Sequence, residues 1–341
     1  MSPTHPDDVS VMGWRKSKGL SPSRAAVSSA RILRPRSSRT QAKGTELNST
    51  QELAAPRPVD WLNLAFLSVT HLLGLAGIAW MIWGQFSWWT TGLALGYFAF
   101  CGVGITGGYH RLFSHPTYRA SWMLKLFYLV FGAASVQNSA LKWSADHRLH
   151  HRKVDLEEDP YNIRRGFWWA HMGWVLSKAK EPDFRHVPDL MADRLVQWQH
   201  RWYVPLALGF GALAPLCLGF LWGDPIGALL VAGFLRLVVQ YHATFAVNSV
   251  AHYIGAQPYT DENSARDHFV TALITLGEGY HNFHHRFQGD YRNGVRWFHL
   301  DPTKWFVWGL SKVGVTWDLR RTPKERILQA KAIMREKRAA A

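Results

Sequence analysis

The sequence is poor in cysteine. Its 341 residues contain two, Cys101 and Cys217, and each lies inside an apolar stretch. Two cysteines cannot build the several disulfides of a small secreted domain, and these two lack the close spacing of a thiolate metal site. We therefore exclude a disulfide framework and a cysteine-based metal site within the chain.

The first 50 residues lack an apolar run that could form the core of a signal peptide. They are rich in serine, arginine and proline, a composition with too little apolar surface to fold on its own. We expect residues 1–55 to form a disordered, basic cytoplasmic tail.

Long apolar runs occur farther along the chain, separated from the charged residues. The chain is 48% hydrophobic, with 18 tryptophans, yet its mean hydropathy is −0.14. At about 1.5 Å per helical residue, four windows can each cross the roughly 30 Å hydrocarbon core of a bilayer. They are residues 61–83, 88–109, 202–222 and 226–247. We predict an all-α integral membrane protein with four transmembrane helices; buried helices of a large soluble protein are the alternative.

Positive charge is distributed unevenly around these windows. Of the 39 lysines and arginines, ten precede residue 61, fourteen lie between the second and third windows, and fourteen follow residue 252. Because positively charged loops remain in the cytoplasm, we expect both termini and the central segment on the cytoplasmic side of the inner membrane. The net charge of +15 then follows mainly from topology and requires no nucleic acid.

This topology predicts a membrane domain at residues 56–320. Its cytoplasmic helical cap comprises residues 110–201 and 248–320. We expect residues 321–341 to form a basic helix or tail, either on the inner leaflet or in solvent.

Histidine is concentrated in three short clusters that hold eight of the 17 histidines. The clusters are His110 and His115 in HRLFSH, His147, His150 and His151 in HRLHH, and His281, His284 and His285 in HNFHH. Imidazole at such density is most simply a metal ligand. In a helix, H-x-x-H-H places residues i, i+3 and i+4 on one narrow face, so we expect each triplet to direct three nitrogens at one place.

Two further positions join this set at the same depth. The segment NSVAH at the end of the fourth window places Asn248 and His252 on one helix face. His110 and His115 diverge by roughly 140° in a straight helix, so this pair either bridges two positions or lies on an irregular turn. Nine neutral nitrogens suit a pair of transition ions with open positions for oxygen. His171 and His242 are candidates for supporting contacts behind the ligands.

At these residues the chain resembles the membrane-bound fatty acid desaturases, and within them the delta-9 acyl-CoA (stearoyl-CoA type) branch, which we expect in its bacterial form. The resemblance covers about residues 61–317 through GITGGYHRLFSH, WSADHRLHH, DPYNIRRGFWWAHMGW, NSVAH and GEGYHNFHH. It implies a di-iron centre of two Fe²⁺ held by the nine histidines, with Asn248 behind a metal-bound water. It also implies O2 as co-substrate and a cis double bond between C9 and C10 of a saturated acyl chain.

The resemblance further implies positions for the substrate. Polar and aromatic residues that line the bend of the family's acyl tunnel match Gln137, Asn138, Trp143 and Thr244. The cations that could hold an anionic head group such as a CoA phosphate are Arg164, Arg165 and Lys178. The animal enzymes carry an arginine and a lysine where this chain has Ala145 and Ala179, so the carrier is acyl-CoA bound differently, acyl carrier protein or a membrane lipid.

Electrons must come from another protein, because the sequence contains neither a four-cysteine iron–sulfur motif nor a haem-binding segment of the cytochrome b5 type. A basic cytoplasmic face suits an acidic donor such as ferredoxin, or a cytochrome b5-like protein with its reductase.

Two other functions use similar histidines. An alkane or fatty acyl hydroxylase shares the boxes and the oxidant but inserts oxygen into the chain, and box spacing alone does not separate it from a desaturase. A membrane metal transporter or metal sensor would use histidines without chemistry. Transport sites usually lie near the membrane midplane and use carboxylates, whereas the nine histidines lie at or beyond the cytoplasmic helix ends.

Overall fold

The computed structural model describes residues 57–84, 86–178 and 181–341. The predicted tail at 1–55, and Ala179, lie outside the described residues. In chain order the helices are α1 Trp61–Trp83, α2 Trp88–Ser114, α3 Trp122–Ala134, α4 Ala140–Lys153, α5 Pro188–Ala192, α6 Arg194–Arg201, α7 Tyr203–Trp222, α8 Pro225–Tyr253, α9 Phe269–Ile274, α10 His281–Arg286, α11 Pro302–Ser311 and α12 Lys324–Ala340. Strands β1 (Arg119–Ala120) and β2 (Thr316–Trp317) pair antiparallel.

The prediction of four spans in an all-α protein is confirmed. By length and composition α1, α2, α7 and α8 can each cross a membrane. In both α1 and α7, 22% of the most apolar window is buried inside the protein. The other apolar side chains of these helices form exposed surfaces that are large enough to contact lipid. The chain is therefore an integral membrane protein.

The start of α1 is attached to the cap. The Asp60 carboxylate accepts a hydrogen bond from the Asn63 backbone N–H and so caps the helix. The Asp60 backbone N–H donates to the Leu176 carbonyl at 2.9 Å, and the Asn63 amide donates to the Val175 carbonyl at 3.0 Å. The first turns of α1 therefore lie beside the cap, at its boundary with the membrane.

The second half of α2 is wider than an α-helix. From Gly104 to Ser114 it is a π-helix, with hydrogen bonds five residues apart instead of four. One glycine in each helix allows α2 and α3 to lie close together: a Cβ on Gly108 of α2 would lie 2.5 Å from the Tyr128 Cβ, and one on Gly132 of α3 would overlap the Tyr109 ring. This contact fixes the position of the helix end that carries the first histidine cluster.

A buried arginine connects four helices within the membrane region. Arg236 of α8 is 3% exposed and donates to the carbonyls of Ala134 in α3 and Gly211 in α7, as well as to its own helix. Its guanidinium also lies 5.7 Å from the centre of the Tyr97 ring in α2. A charge in this setting is tolerated because carbonyl oxygens replace its water.

The C-terminal helix packs on the cap. Ile327, Ala330 and Met334 are its buried residues, spaced as one helix face. Ile327 and Ala330 belong to one hydrophobic cluster with Tyr259 and Phe283, and Phe283 belongs to α10. Helix α12 therefore supports the helix that carries the third histidine cluster.

Candidate metal centre

All nine predicted histidines come together below the spans. They form two groups, and within each group one ring nitrogen from every histidine lies within 4.8 Å of those of the others. The first group contains His110, His115, His147, His151 and His284, and the second contains His150, His252, His281 and His285. The groups adjoin, because the rings of His151 and His285 stack with centroids 4.3 Å apart.

Each triplet is divided between the two groups, which corrects the expectation that it would point at one place. In α4, His147 and His151 enter the first group and His150 the second. In α10, His284 enters the first group, and His281 and His285 enter the second. Consecutive helical residues diverge by about 100°, which separates the two adjacent histidines at the end of each triplet.

The π-helix explains how His110 and His115 join one group. The His115 backbone N–H donates to the His110 carbonyl at 3.2 Å, a bond across five residues. Residues at this spacing return to nearly the same face of a π-helix, and the two ring centroids lie 5.1 Å apart. The pair thus lies on an irregular helix, as predicted, and serves one group instead of bridging two.

The nitrogen spacing fits bound metal ions. His284 Nε2 lies 2.9 Å from the Nε2 atoms of both His110 and His151. A ring nitrogen has either one hydrogen or one lone pair, so hydrogen bonding satisfies only one of these two contacts. Nitrogens bound at about 2.1 Å to a shared ion, at right angles, would lie about 3 Å apart.

Burial favours the neutral form of most of these imidazoles, the form that a metal ligand must take. For His115, His147 and His284, burial first and then repulsion from neighbouring imidazoles lower the pKa well below its usual value. The same holds for His281 and His285 in the second group. Metal binding would therefore displace few protons.

Carboxylates behind the ligands were missed by the sequence analysis. Glu278 accepts from His110 Nδ1 at 2.7 Å and from Arg111 at 2.9 Å, and Asp159 accepts from His150 Nδ1 at 2.8 Å. Burial alone would raise the pKa of each carboxyl, but the neighbouring imidazole, joined at Glu278 by Arg111, lowers it overall. Such contacts fix the orientation of a ligand ring.

His252 has a similar support. Its Nδ1 lies 2.8 Å from the Ser264 hydroxyl, which bonds to the Asp155 carboxylate at 2.5 Å. A sequence signal existed in part, since Glu278 lies within GEGYH and Asp159 lies nine residues after His150. Their role depends on folding, because aspartate and glutamate are common near many histidines.

The predicted substrate residues differ in their contacts, because the side chains of three of them touch neighbouring side chains, whereas the fourth, Asn138, makes its contact through the backbone. Gln137 donates to the Thr244 hydroxyl at 3.0 Å, and Trp143 stacks on His147 with centroids 4.8 Å apart. Asn138 is exposed, and its backbone N–H donates to the Tyr203 hydroxyl. Asn248, which was predicted to lie behind a metal-bound water and not to bind substrate, ends the regular part of α8, one turn before His252.

The predicted cations are not equivalent. Arg165 is mostly buried, lies 3.7 Å from the centre of the Trp169 ring and faces Glu157 at 3.7 Å. Arg164 and Lys178 are exposed on the cap. The structure therefore leaves these two accessible to a ligand and engages the third in packing.

A basic groove opens at the centre. Its first part, a cavity of about 350 Å³, is lined by His115 and His151 of the first group together with Arg148 and Arg152. A second cavity of about 300 Å³ shares Gln288 and Gly289 with the first. Its lining adds Arg286, Arg321 and Arg326. We call these two cavities the basic groove.

Comparison with known proteins agrees with this geometry. Residues 86–318 match the sequence model of the family described as "Fatty acid desaturase". The chain is 46% identical over 287 residues to a probable acyl-CoA desaturase of Schizosaccharomyces pombe, covering 81% of this chain and 58% of that protein. It is 47% identical over 238 residues to acyl-CoA desaturase 1 of Saccharomyces cerevisiae, and this match covers 69% of this chain and 46% of that protein.

A third relative is the stearoyl-CoA desaturase of Homo sapiens, 36% identical over 276 residues, with 79% of this chain and 76% of that protein covered. The chain spans about half the length of the two yeast relatives. All three are eukaryotic, and the expected bacterial form stays a prediction. The matching segments contain the three histidine clusters that the fold brings together, and the chain belongs to the fatty acid desaturase family.

Proposed function

We propose that the protein is a membrane-bound acyl-CoA desaturase that introduces a cis double bond, at C9, into a saturated acyl chain. The observation that carries this proposal is the convergence of nine imidazoles into two adjoining groups. Neutral nitrogen ligands in two such groups suit a pair of iron ions. When bound, these ions would use O2 to supply the oxidising power that an unactivated methylene requires.

The protein's own residues would orient the substrate. Trp143 stacks on His147 and approaches His110, at 6.2 Å between ring centroids. It therefore forms a flat apolar wall beside the first group. The bond between Gln137 and Thr244 joins the segment between α3 and α4 to α8 and would fix the path of the acyl chain next to this wall. Arg164 and Lys178 would contact an anionic carrier such as the CoA phosphates.

The basic groove is a surface at which an external electron donor would bind. Two rings of the first group line it, and arginines form much of its remaining lining. An acidic redox protein, of the ferredoxin or cytochrome b5 class, would be attracted to this surface and would approach the centre closely. Raising the salt concentration should then slow electron delivery; an unchanged rate would contradict this part of the proposal.

The activity is tested by expression in a host that lacks unsaturated fatty acids, followed by mass analysis of its lipids. A desaturase yields chains lighter by two hydrogens with the double bond at C9, whereas a hydroxylase adds an oxygen atom. His150→Ala and His284→Ala should abolish the product while the protein remains in the membrane. His186→Ala, at the cap surface beside Asp183, is the matched control and should retain activity.

Metal analysis completes this test. Two irons per chain and O2-dependent turnover are expected. Zinc without turnover would contradict the proposal and favour a metal transporter or sensor.

A further inference from the structure

The segment from residue 296 to residue 312 carries an exposed aromatic surface that neither the metal centre nor the basic groove uses. Four large rings and two cations form it: Arg296, Trp297, Phe298, Trp305, Trp308 and Lys312. Trp297 is 84% exposed, a larger fraction than for any other tryptophan that the structure describes. We call these six residues the aromatic edge.

Helix α11 and the loop before it present this surface together. Trp305, Trp308 and Lys312 follow one another at intervals of three and four residues, which places them on one side of the helix. Val307, on the other side, is fully buried. The Trp305 indole N–H donates to the Trp297 carbonyl at 3.3 Å, and this bond joins the loop to the exposed side of α11.

A contact with α2 gives the depth of this surface. Thr303, in the first turn of α11, shares a hydrogen bond of 2.6 Å with Thr106 of α2. Trp88 begins α2 and is 79% exposed, as expected for an anchor at the opposite interface of the membrane. Thr106 lies at most about 27 Å along the helix from Trp88, at 1.5 Å per residue. A hydrocarbon core of roughly 30 Å therefore reaches the level at which α11 begins.

The neighbouring segment after α9 gives the same depth. A Cβ on Gly102 of α2 would overlap the Leu276 side chain, and Gly102 is nearer to Trp88 than Thr106 is. A Cβ on Gly277 would lie 2.8 Å from the Cα atom of Asp301, the residue before α11. The aromatic edge thus adjoins a segment that already lies at membrane depth.

The charge on this side of the cap has one sign. The carboxylates between residues 268 and 317 are all buried; they are Glu278, Asp290 and Asp301. Arg296 and Lys312 are exposed. The Arg296 guanidinium lies 5.6 Å from the centre of the Phe298 ring, and the Lys312 amine lies 4.9 Å from the centre of the Trp308 ring. Aromatic rings beside cations are typical of protein surfaces at the level of lipid head groups.

We propose that the aromatic edge lies among the head groups of the cap-side leaflet, and that Arg296 and Lys312 bind anionic lipid there. In water these rings would form an apolar patch that a protein surface usually avoids. Lipid covers the patch without a second protein chain, since the same bilayer surrounds α2 at this depth. The cap would then be held on the membrane by its own surface as well as by the four spans.

The first test measures the depth of α11. Gly309 is exposed beside Trp308, and nothing lies within 4 Å of its Cβ position. In a Cys101→Ala, Cys217→Ala background, Gly309→Cys would carry a bimane label on the full-length protein in lipid nanodiscs. Lipids with a nitroxide on the head group or on carbon 5 of the acyl chain should quench this label strongly, and aqueous iodide only weakly. Gly289→Cys, in the basic groove and equally open, is the control and should show the reverse.

Two results would overturn this placement. Quenching of the Gly309→Cys label by iodide and not by the lipids would put the aromatic edge in water. A label that neither quencher reaches would show that protein covers the edge, and quenching by a nitroxide-labelled second copy would identify that protein as this chain.

The second test concerns the charge of the lipid. Spin-labelled phosphatidylglycerol and spin-labelled phosphatidylcholine, at equal mole fractions, compare the anionic and the zwitterionic lipid beside the Gly309→Cys label. We expect phosphatidylglycerol to be preferred. The preference should fall about fivefold in each of Arg296→Gln and Lys312→Gln, because one cation near an anionic surface contributes about 1 kcal/mol.

Arg185→Gln is the matched control, since it removes a cation that is 88% exposed elsewhere on the cap. It should leave the preference unchanged. An unchanged preference in the double variant Arg296→Gln, Lys312→Gln would refute the binding of anionic lipid. Both tests are independent of desaturase activity.

Discussion

Glu278 shows how much of the centre depends on a residue that does not itself bind metal. It is 5% exposed and joins His110, Arg111 and the Asn293 amide. Its negative charge holds the His110 ring in one orientation and neutralises a buried guanidinium, so that removing the charge affects both.

We expect Glu278→Gln to lower metal affinity by roughly 10- to 100-fold, the usual effect of losing a contact behind a ligand. Glu262→Gln is the control, because Glu262 is exposed and pairs with Arg286 at the surface. Metal content after dialysis against a graded chelator measures the difference. Equal retention in the two variants would show that the Glu278 charge does not support the centre.

Asp267 gives a pH dependence with a definite sign. Burial raises the pKa of this carboxyl to about 7, although backbone N–H groups of Phe283 and Asn282 oppose the rise. The folded protein then holds a proton that the unfolded chain releases near its usual pKa. The stability from this proton is fully present below the usual pKa of 3.8 and is lost progressively as the pH rises from there through about 7.

The stability gained through Asp267→Asn should therefore be roughly 2 kcal/mol larger at about pH 8.5 than at about pH 5.5. Thermal unfolding in detergent at the two pH values measures this. Asp261→Asn, at an exposed site paired with Lys337, should show no such change with pH. If Asp267→Asn changed the stability by the same amount at both pH values, the raised pKa of Asp267 would be contradicted.

At the scale of elements, the contact between α2 and α3 positions the first histidine cluster. A methyl group on Gly108 would lie 2.5 Å from Tyr128 Cβ, whereas nothing lies within 4 Å of the Cβ position of Gly96 in the same helix. We expect Gly108→Ala to lower stability by about 1–3 kcal/mol through overpacking. Gly96→Ala should be neutral or slightly stabilising because alanine favours a helix. Thermal unfolding of the two variants compares them, and equal melting temperatures would contradict the close contact.

The elements also show what the sequence could predict. The four spans follow from hydropathy, and the ligand histidines from their spacing. The π-helix of α2 was not predictable as such, because the irregular spacing of His110 and His115 indicates only that a straight helix fails. The division of each triplet depends on two helices facing each other, which spacing within one helix cannot reveal. For the same reason Glu278 and Asp159 were missed.

At the scale of the whole molecule, an even number of spans among the described residues places the start of α1, the cap and the C-terminal helix α12 on one side. We expect that side to be the cytoplasm. In a Cys101→Ala, Cys217→Ala background, a membrane-impermeant thiol reagent outside intact cells should label Phe86→Cys, in the short connection after α1. It should not label Lys178→Cys, which is exposed on the cap. Labelling of Lys178→Cys instead would reverse the orientation.

The division of the histidine triplets has a consequence for how the centre fills. Helices α4 and α10 each contribute to both groups, so an ion entering either group would fix the orientation of rings that the other also needs. Binding of the first ion would then orient ligands for the second and raise the affinity for it, so that molecules holding a single ion would be scarce. Chains would divide between full and empty forms as the supply of metal changed, and the activity proposed for the centre would follow that supply as a threshold.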